Sequence, residues 1–352
     1  MVAIDVAKAY NHVVVELKNG KKKRFKVANK IVDYDELGTY LKSFRSECVI
    51  GLEVTGNYHR PLAHYLLREG FTVKLPSSPA LARTREARYN SWGKNDPKDA
   101  QIMLHTLKTG LALTYCDPLI HNFHDIQETS KTYYQVSLQK TRAQHNIMTH
   151  FLPLYFPEAE KYMGSTRAEW LSDFLFAFPV PASIIGYGKE EFIEKARSLA
   201  GKKVNKRMWL TDVYHTASES IGLPVSEDSE SVAMFHIVLK EHGDLCRRRR
   251  EIESYANRYL KDHPDYRILQ TIPGIGPICA LTILAEVGDI RRFSHHRQFL
   301  KYCGMDLSTQ QSGRFKGIGG ISKHGSKRLR QAFWLVAVVA IRLRENTFRT
   351  KY

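Results

Sequence analysis

The first hundred residues alternate between short apolar runs and longer amphipathic stretches. Apolar runs rich in β-branched residues predict five strands, at 2–6, 12–17, 22–27, 48–54 and 71–75. The Asn19-Gly20 pair between the second and third runs predicts a two-residue hairpin turn. Helical spacing over 34–44 and 58–68 predicts two helices. Three strands joined by hairpins, followed by alternating helix and strand, predict a mixed sheet with helices packed on it.

The middle of the chain has the spacing of long helices. Apolar positions over 121–152 and 231–263 predict two of them, which pair either as a coiled coil or as part of an ordinary helical bundle. Residues 156–224 are less regular and richer in proline, and they predict a helical insert of unassigned role.

The last ninety residues open with LQTIPGIGPICALTILAEVGD over 269–289. A short helix, a glycine turn and an apolar helix predict a helix-hairpin-helix, in which Gly274 and Gly276 offer backbone amides to a phosphate. A turn used only for packing is the alternative. A basic helix is expected over 291–302. The helix over 329–343 is too hydrophobic on all sides to be exposed.

The net charge of +17 changes the expected partner. Residues 291–352 contain 14 Lys and Arg against Asp306 and Glu345, and this imbalance favours a nucleic acid or an anionic membrane as partner. No amphipathic anchor or lipidation motif supports the membrane. No apolar run is long enough to span a bilayer, no signal peptide is recognised, and no membrane partner is expected. Five scattered cysteines without a Cys-x-x-Cys pair predict reduced thiols, a cytoplasmic location and no structural zinc.

Two stretches combine these charges with other signals. The glycine-rich stretch 310–330 has no acidic residue, and residues 247–250 are a run of four arginines. Both are predicted to contact a nucleic-acid backbone, although each is also compatible with a solvated surface. The predicted contacts are Arg247, Arg248, Arg249, Arg250, Arg314, Lys316, Lys323, Lys327 and Arg328.

Four carboxylates are candidates for metal chemistry. Asp5 lies in the first predicted strand, Glu53 near the end of the fourth, and Asp96 and Asp99 share one face of a later helix. Such carboxylates would repel one another unless divalent cations lay between them, and Mg²⁺ prefers oxygen ligands. Each acid also has a plainer explanation: Asp96 before Pro97 is a good helix start, and Asp99 would face the helix dipole. Asp5 would be an edge residue and Glu53 a turn residue. The joint pattern favours the metal site.

Five motifs then recur in a known order: VAIDVAK, EVTGNY, KNDPKDA, LQTIPGIGPICA and YCGMDLSTQQSGRFKGIGGISKHGSKRLR. In this order they resemble the DEDD-type insertion-sequence transposases, the bridge-RNA-guided recombinase family that includes Piv-like DNA invertases. The resemblance implies an α/β RNase H-like (RuvC-like) domain over 1–115. It also implies long helices or a coiled coil with the insert over 116–265, and a mainly helical transposase domain over 266–352.

The resemblance also implies a site and partners. Asp5, Glu53, Asp96 and Asp99 would be the Mg²⁺-binding catalytic set, and Ser312 the nucleophile that forms a phosphoserine link to DNA. Ser308 is a rival nucleophile, because this sequence lacks a proline that the family usually has near 307–308. The implied partners are donor and target DNA, a non-coding guide RNA, and copies of the chain in dimers and tetramers, with acids and serine meeting across subunits.

Other functions remain open on the sequence. A RuvC-like nuclease or resolvase would use the carboxylates and water, with Ser312 only structural. A DNA invertase would share the same motifs, and a non-catalytic nucleic-acid scaffold would use only the basic residues.

Overall fold

A computed structural model describes residues 1–44, 46–54, 56–89, 96–163, 169–200, 205–308, 311–312, 315–317, 319–342 and 347–351. The chain divides into two compact units, Met1–His124 and Asp125–Tyr352. The three-segment division drawn from the sequence stays a prediction.

The first unit contains a six-stranded sheet in the order β3-β2-β1-β4-β5-β6. Its strands are β1 (Val2–Asp5), β2 (Tyr10–Glu16), β3 (Lys22–Ala28), β4 (Val49–Leu52), β5 (Thr72–Pro76) and β6 (Ala112–Thr114). The pairs β1–β4 and β4–β5 are parallel, and the other neighbours are antiparallel. The mixed sheet predicted from the first hundred residues is therefore confirmed.

The β2–β3 hairpin differs from its prediction in the length of its turn. The Leu17 N–H donates to the Lys21 carbonyl over 2.9 Å, so three residues rather than two form the loop. Gly20 takes the left-handed conformation at the last loop position, with φ of +79°. Three-residue hairpin loops commonly end in such a residue, which explains why the Asn-Gly pair does not form the shorter turn.

Helices cover both faces of this sheet and make three layers. They are α1 (Ile31–Lys42), α2 (His59–Arg68), α3 (Ser78–Tyr89) and α4 (Asp96–Lys108). Val2, Ile4 and Ile50 pack with α1 and α2, whereas Ala3 and Val14 pack with α3 and α4. This alternation follows from the two-residue period of a strand. Helix α3 and strand β6 were not predicted from the sequence.

The second unit is mainly helical. Its helices are α5 (His124–Asn146, starting at the end of the first unit), α6 (Leu152–Tyr155), α7 (Glu160–Met163), α8 (Glu169–Ala177), α9 (Pro181–Ile185), α10 (Lys189–Ala196), α11 (Lys206–Ser218), α12 (Glu230–Leu260), α13 (Pro264–Gln270), α14 (Pro277–Val287), α15 (His296–Cys303), α16 (Lys327–Arg342) and α17 (Thr347–Lys351). A π-helical turn, Ile147–Phe151, joins α5 to α6, and 3₁₀ turns occupy Pro157–Ala159 and Ile290–Arg292. Both long predicted helices are present.

The proline-rich insert is a helical subdomain with a core of its own. Phe156, Phe174 and Phe192 are buried there, and Trp170 meets Trp209 edge to face at 5.3 Å between ring centroids. The first half of α12 completes this core, since the Phe235 ring stacks on the Phe151 ring at 4.8 Å. The insert therefore stabilises the junction between the two long helices.

The hydrophobicity of the last long helix, α16, predicted burial on all sides, and this prediction is wrong. One face of α16 is buried through Leu329, Ala332 and Ala340, but Trp334 is 65% exposed, with Leu335 and Val339 also exposed. Within the described residues, none of the helices is long and apolar enough to cross a membrane.

Between α15 and α16 the chain forms two short ladders. Strand β7 (Leu307–Ser308) pairs with β10 (Gly320–Ile321), and β8 (Gln311–Ser312) pairs with β9 (Phe315–Lys316), both antiparallel. The second ladder lies between the strands of the first in sequence, so the segment is a nested β-hairpin.

Candidate active site

Asp5 and Glu53 lie next to each other at the carboxyl ends of β1 and β4, two central strands of the first unit's sheet. Strands β1 and β4 are parallel neighbours in which Ile4 is opposite Leu52, and the acids are the following residues. The Glu53 N–H donates to the Ile4 carbonyl over 3.1 Å, so the pairing continues past the end of β4. The two carboxylates are therefore carried on backbones that are about 4.8 Å apart.

Strand alternation directs both acids to the face covered by α4. Ala3 and Gly51 are register partners on that face, and Asp5 and Glu53 are each two residues further on. At Gly51 a Cβ would lie 2.9 Å from the Leu107 Cδ1, so glycine lets α4 lie close against β4. Both acids are half-buried.

Helix α4 is oriented so that its first turn is directed towards the carboxyl ends of β1 and β4. Its last residue, Lys108, bonds through Nζ to the Glu16 Oε2 at 2.7 Å. Glu16 is at the far end of β2, beside the start of β1, because its neighbour Val15 pairs with Val2. The C-terminus of α4 is therefore at the start of β1, and its first turn, with Asp99, is directed towards Asp5 and Glu53.

Asp99 is buried and already has a cationic partner within the first unit. It is 5% exposed, and its Oδ1 accepts from the Arg85 Nη2 at 2.6 Å and the Arg85 Nε at 3.1 Å. Arg85 comes from α3, and the pair joins α3 to α4. A buried carboxylate needs such compensation, because transfer from water penalises its charged form.

The donor set fits Mg²⁺ in its chemistry. Asp5, Glu53 and Asp99 supply carboxylate oxygens, the ligand type that this ion prefers. Helix α4 begins at Asp96 as predicted, but the Asp96 side chain lies outside the described residues. Among those that are described, no group of three His, Cys, Asp or Glu side chains is drawn together closely enough to form a metal cluster. The four-carboxylate site stays a prediction.

Sequence reasoning missed two neighbours of these acids. Arg85 gave no signal, because its bond to Asp99 depends on how α3 packs on α4. His12 is directly opposite Asp5 on β2 and therefore shares its face. The alternation of β2 could have revealed His12 once the hairpin register was known.

Ser312 is the last paired residue of its strand in the nested hairpin of the second unit. Its register partner is Phe315, so the ladder reaches the residues on either side of 313–314. The side chains of Ser312 and Lys316, and residue Arg314 as a whole, lie outside the described part of the chain. The serine prediction is therefore untested.

The base of this hairpin is fixed to α15 by close backbone contacts. Gly304, which ends α15, has φ of +70°, and a Cβ there would lie 2.9 Å from the Gly325 nitrogen. The Lys323 N–H donates to the Gly304 carbonyl and the Ser326 N–H to the Tyr302 carbonyl. These bonds satisfy carbonyls at the end of α15. Glycine is required at Gly304 because of its positive φ and because the two backbones lie so close together there.

Ser308, the rival nucleophile, has a hydrogen bond inside the hairpin. Its Oγ donates to the Gly320 carbonyl over 3.0 Å, between the strands β7 and β10. This bond gives Ser308 a role in joining the base of the hairpin.

The predicted nucleic-acid contacts of the second unit fall into two groups. Arg247, Arg248 and Arg250 on α12 are exposed, as are Lys323 and Lys327. Arg247 also bonds to Asp244 on the same helix. Arg249 is only partly exposed and donates to the Tyr133 hydroxyl, which joins α12 to α5, while its bond to Glu253 at 3.4 Å lies within α12.

Arg328 likewise has partners inside the second unit. Its Nη1 bonds to the Glu286 Oε1 at 2.7 Å, and its Nη2 donates to the Ser130 carbonyl at 2.9 Å. The guanidinium thus connects α16 to α14 and α5. This internal role was not predicted.

The glycine turn between α13 and α14 also has a packing role. Gly274 has φ of +87°, and a Cβ there would lie 2.5 Å from the Val336 carbonyl oxygen of α16. Gly276 precedes α14 as its N-cap and is exposed. Packing therefore explains Gly274, while contact of Gly276 with a phosphate stays a prediction.

Comparison with known proteins matches both ends of the chain to one family. The profile of the "Transposase IS116/IS110/IS902 family" matches residues 266–352, and the profile of IS110-type DEDD transposases matches residues 2–157. A Streptomyces coelicolor protein named "Mini-circle putative transposase for IS117" is 24% identical over 311 residues, or 84% of this chain and 72% of that protein.

Two further relatives agree. The 43.6 kDa protein of insertion element IS110, also from Streptomyces coelicolor, is 22% identical over 75% of this chain and 65% of its own length. The transposase for insertion sequence element IS1111A of Coxiella burnetii is 31% identical over 32% of this chain and 30% of its own length. The chain therefore belongs to the IS110/IS116 family of DEDD transposases and is an enzyme that acts on DNA.

Proposed function

We propose that this transposase cleaves and rejoins DNA strands with Asp5, Glu53, Asp96 and Asp99 as its metal-binding carboxylates and Ser312 as its nucleophile. The observation that carries the proposal is the adjacency of Asp5 and Glu53 at the carboxyl ends of two parallel strands. The direction of α4, whose first turn contains Asp96 and Asp99, supports it.

Mg²⁺, when bound, would neutralise these carboxylates and supply positive charge to the phosphate oxygens. Asp5 and Glu53 would hold it from the sheet and Asp99 from α4. Arg85 already forms an ion pair with Asp99. This arginine would therefore weaken the attraction between the Asp99 carboxylate and a bound cation.

Attack by the Ser312 Oγ would form an Oγ–P bond and break the P–O bond to the leaving DNA end. The leaving oxygen ends as a hydroxyl, and the serine hydroxyl gives up its proton. The phosphoserine link preserves the phosphodiester for transfer to a second DNA end. The bond from Ser308 to the Gly320 carbonyl favours Ser312 over Ser308 as the nucleophile.

Backbone contacts would come from exposed cations of the second unit. We assign these to Arg247, Arg248, Arg250, Lys323 and Lys327, together with Arg314, Lys316 and the amide of Gly276. Arg249 and Arg328 are left out because both are only partly exposed and their guanidinium groups bond to other helices of the unit.

Choice of donor and target DNA would rest on pairing with a non-coding RNA that the protein carries, with the protein itself contacting mainly the backbone. Assembly into dimers and tetramers would complete the enzyme. The exposed apolar side chains of α16, Trp334, Leu335 and Val339, support contacts between copies.

The serine mechanism is tested by trapping the covalent intermediate. Labelled donor DNA is incubated with the protein and its RNA, and denaturing gels measure protein-linked DNA. We expect the parent chain and Ser308→Ala to form the adduct and Ser312→Ala to reduce it about a thousandfold or more. Strand exchange retained in Ser312→Ala would disprove the nucleophile.

The same experiment separates the alternatives. A metal-dependent nuclease that uses water is favoured if Ser312→Ala still cuts DNA without an adduct, because the carboxylates alone would then suffice. Full activity in an Asp5→Ala, Asp99→Ala double variant would contradict both the serine mechanism and the metal-dependent nuclease, and it would leave the non-catalytic scaffold as the remaining hypothesis. Inversion instead of transposition would appear as rejoined products of reversed orientation.

A further inference from the structure

The edge of the first unit's sheet carries a cluster of cations with no assigned role. Strand β3 is the outermost strand, and residues 18–30 contain seven Lys and Arg without an acidic residue. The members are Lys18, Lys21, Lys22, Lys23, Arg24, Lys26 and Lys30, and all are exposed. Edge strands often contain lysine simply because charge prevents pairing with other chains. That explanation makes no distinction between the two faces of the strand.

The register assigns these cations to different faces. Lys23 is opposite Val15 on the face covered by α1, where its Nζ lies 5.6 Å from the centre of the Tyr40 ring. Lys22, Arg24 and Lys26 alternate with it and therefore lie on the opposite face, the one covered by α4. We call these three residues the basic edge.

The basic edge is in line with the candidate active site. His12 is opposite Asp5 in the β1–β2 pair and opposite Lys26 in the β2–β3 pair. Directly opposite residues point to the same face, so Asp5, His12 and Lys26 form one row across three strands. Two strand spacings, about 9.6 Å, separate the backbones of Asp5 and Lys26. Measured along the axis of a DNA duplex, that distance is about three base pairs.

Lys22 is not neutralised by the acid directly opposite it. Glu16 is directly opposite Lys22, yet its carboxylate bonds to Lys108 on α4 at 2.7 Å. In the part of the chain that the structure describes, Lys22, Arg24 and Lys26 form no ion pair. Three like charges on alternate positions of one strand repel one another, and a polyanion laid across them would relieve that repulsion.

We propose that the DNA strand that carries the cleaved phosphate runs from the carboxylates across β2 to the basic edge, where Lys22, Arg24 and Lys26 contact its phosphates. The proposal rests on the proposed catalytic role of Asp5 and Glu53, and it adds a binding surface in the first unit. DNA is favoured over RNA as the occupant because the row starts at the acids that would act on DNA.

The test compares two charge-matched double variants of the full-length chain. Arg24→Gln with Lys26→Gln removes two cations from the basic edge, whereas Lys21→Gln with Lys23→Gln removes two from the same hairpin outside it. Affinity for a fluorescein-labelled DNA duplex is measured by anisotropy without divalent ions over a range of salt concentrations. A structured RNA hairpin of matched length serves as the second probe.

We expect the basic-edge variant to bind DNA about tenfold more weakly, with a slope of log K against log salt that is shallower by about 1.8, or about 0.9 for each lost contact. The matched variant should change less than about twofold. The charge-conserving variant Arg24→Lys with Lys26→Arg should restore DNA binding, and unchanged thermal unfolding of all variants would exclude a folding defect.

Equal losses of DNA affinity in the two double variants would overturn the proposal. The affinity would then depend on the total charge of the hairpin and not on the face of β3 that carries it. A loss confined to the RNA probe would overturn it as well. Cleavage of labelled DNA by Asp5→Asn separates this inference from the proposed function. Undiminished cleavage refutes the catalytic role of the acids, whereas normal binding by the basic-edge variant refutes only the DNA path.

Discussion

At the scale of single residues, the ion pair between Arg85 and Asp99 decides what the buried acid can do. Asp99 alone would be a costly buried charge, and Arg85 compensates for it from the neighbouring helix. A bound divalent cation would offer the same compensation. The acid is therefore both a structural partner of α3 and a candidate metal ligand.

Removing this arginine should destabilise the first unit and make its stability depend on magnesium. In Arg85→Gln, Asp99 loses its partner while remaining buried, and we expect a loss of about 3 kcal/mol in the free energy of unfolding. Millimolar Mg²⁺ should restore part of this loss, because the cation replaces the missing charge. Thermal unfolding with and without Mg²⁺ measures both effects.

Arg83→Gln is the matched control for this prediction. Arg83 is exposed on the same helix, so its removal changes the net charge equally without affecting Asp99. If Arg85→Gln and Arg83→Gln unfold at the same temperature, the ion pair contributes nothing to stability. If Mg²⁺ stabilises both equally, Asp99 is not a site of cation binding.

At the scale of elements, a buried histidine joins the insert to the second long helix. The His242 Nδ1 of α12 lies 2.6 Å from the Ser172 Oγ of α8, and both residues are buried. Burial, with a smaller effect of the Lys140 charge, lowers the pKa of His242 from 6.5 to about 4. The helix pair therefore depends on a neutral imidazole.

This histidine should make the second unit less stable in mild acid. Between pH 6.5 and pH 4 the unfolded chain binds a proton that the folded chain does not, so the free energy of unfolding falls as the pH falls through that range. We expect His242 to remove about 2 kcal/mol between pH 7 and pH 5. Urea unfolding followed by tryptophan fluorescence measures it, since Trp170 and Trp209 lie in this core.

His242→Gln identifies the source of the pH dependence. The variant keeps a polar side chain for Ser172 but cannot gain a proton in this range, so its unfolding free energy should vary less with pH by that amount. His59 in the first unit also has a pKa lowered by burial and by the Arg60 charge, and its contribution is the same in both proteins. An unchanged slope in His242→Gln would contradict the assignment.

At the scale of the whole molecule, charge and exposed apolar surface both indicate partners. The net charge of +17 is concentrated towards the C-terminus, and the basic edge adds a second positive region in the first unit. Such charge favours polyanions through counterion release. Exposed Trp334 and Leu335 on α16 are apolar side chains of the kind that contacts between protein copies bury.

Purified protein should therefore carry a discrete RNA in an oligomer. Expressed with the DNA that flanks its gene, the chain should elute as a dimer or tetramer with excess absorbance at 260 nm, because a guide would be held by its basic surfaces. Size-exclusion chromatography with light scattering and sequencing of the bound RNA measure both. Ribonuclease treatment that leaves recombination intact would count against guidance, and a monomeric mass would count against assembly.

Much of this molecule followed from local patterns. Runs of β-branched residues predicted five of the six strands of the sheet, and the Asp-Pro step predicted the start of α4 at Asp96. The order of the motifs indicated a DEDD-type insertion-sequence transposase, and the comparisons confirm that assignment. These features depend on residues close together in the chain, where backbone preferences and side-chain period act directly.

Tertiary structure decided what depends on packing between distant segments. The bond of Arg85 to Asp99, the bonds of Arg249 to Tyr133 and of Arg328 to Glu286, and the contact of Gly274 with α16 each join elements that the sequence cannot align. Helix α16 shows the same limit, because hydrophobicity predicts burial without saying which partner covers each face. The row from Asp5 through His12 to Lys26 depended on both levels. The sequence determined which residues of β3 share a face, and only the strand register showed that Lys26 is in line with Asp5.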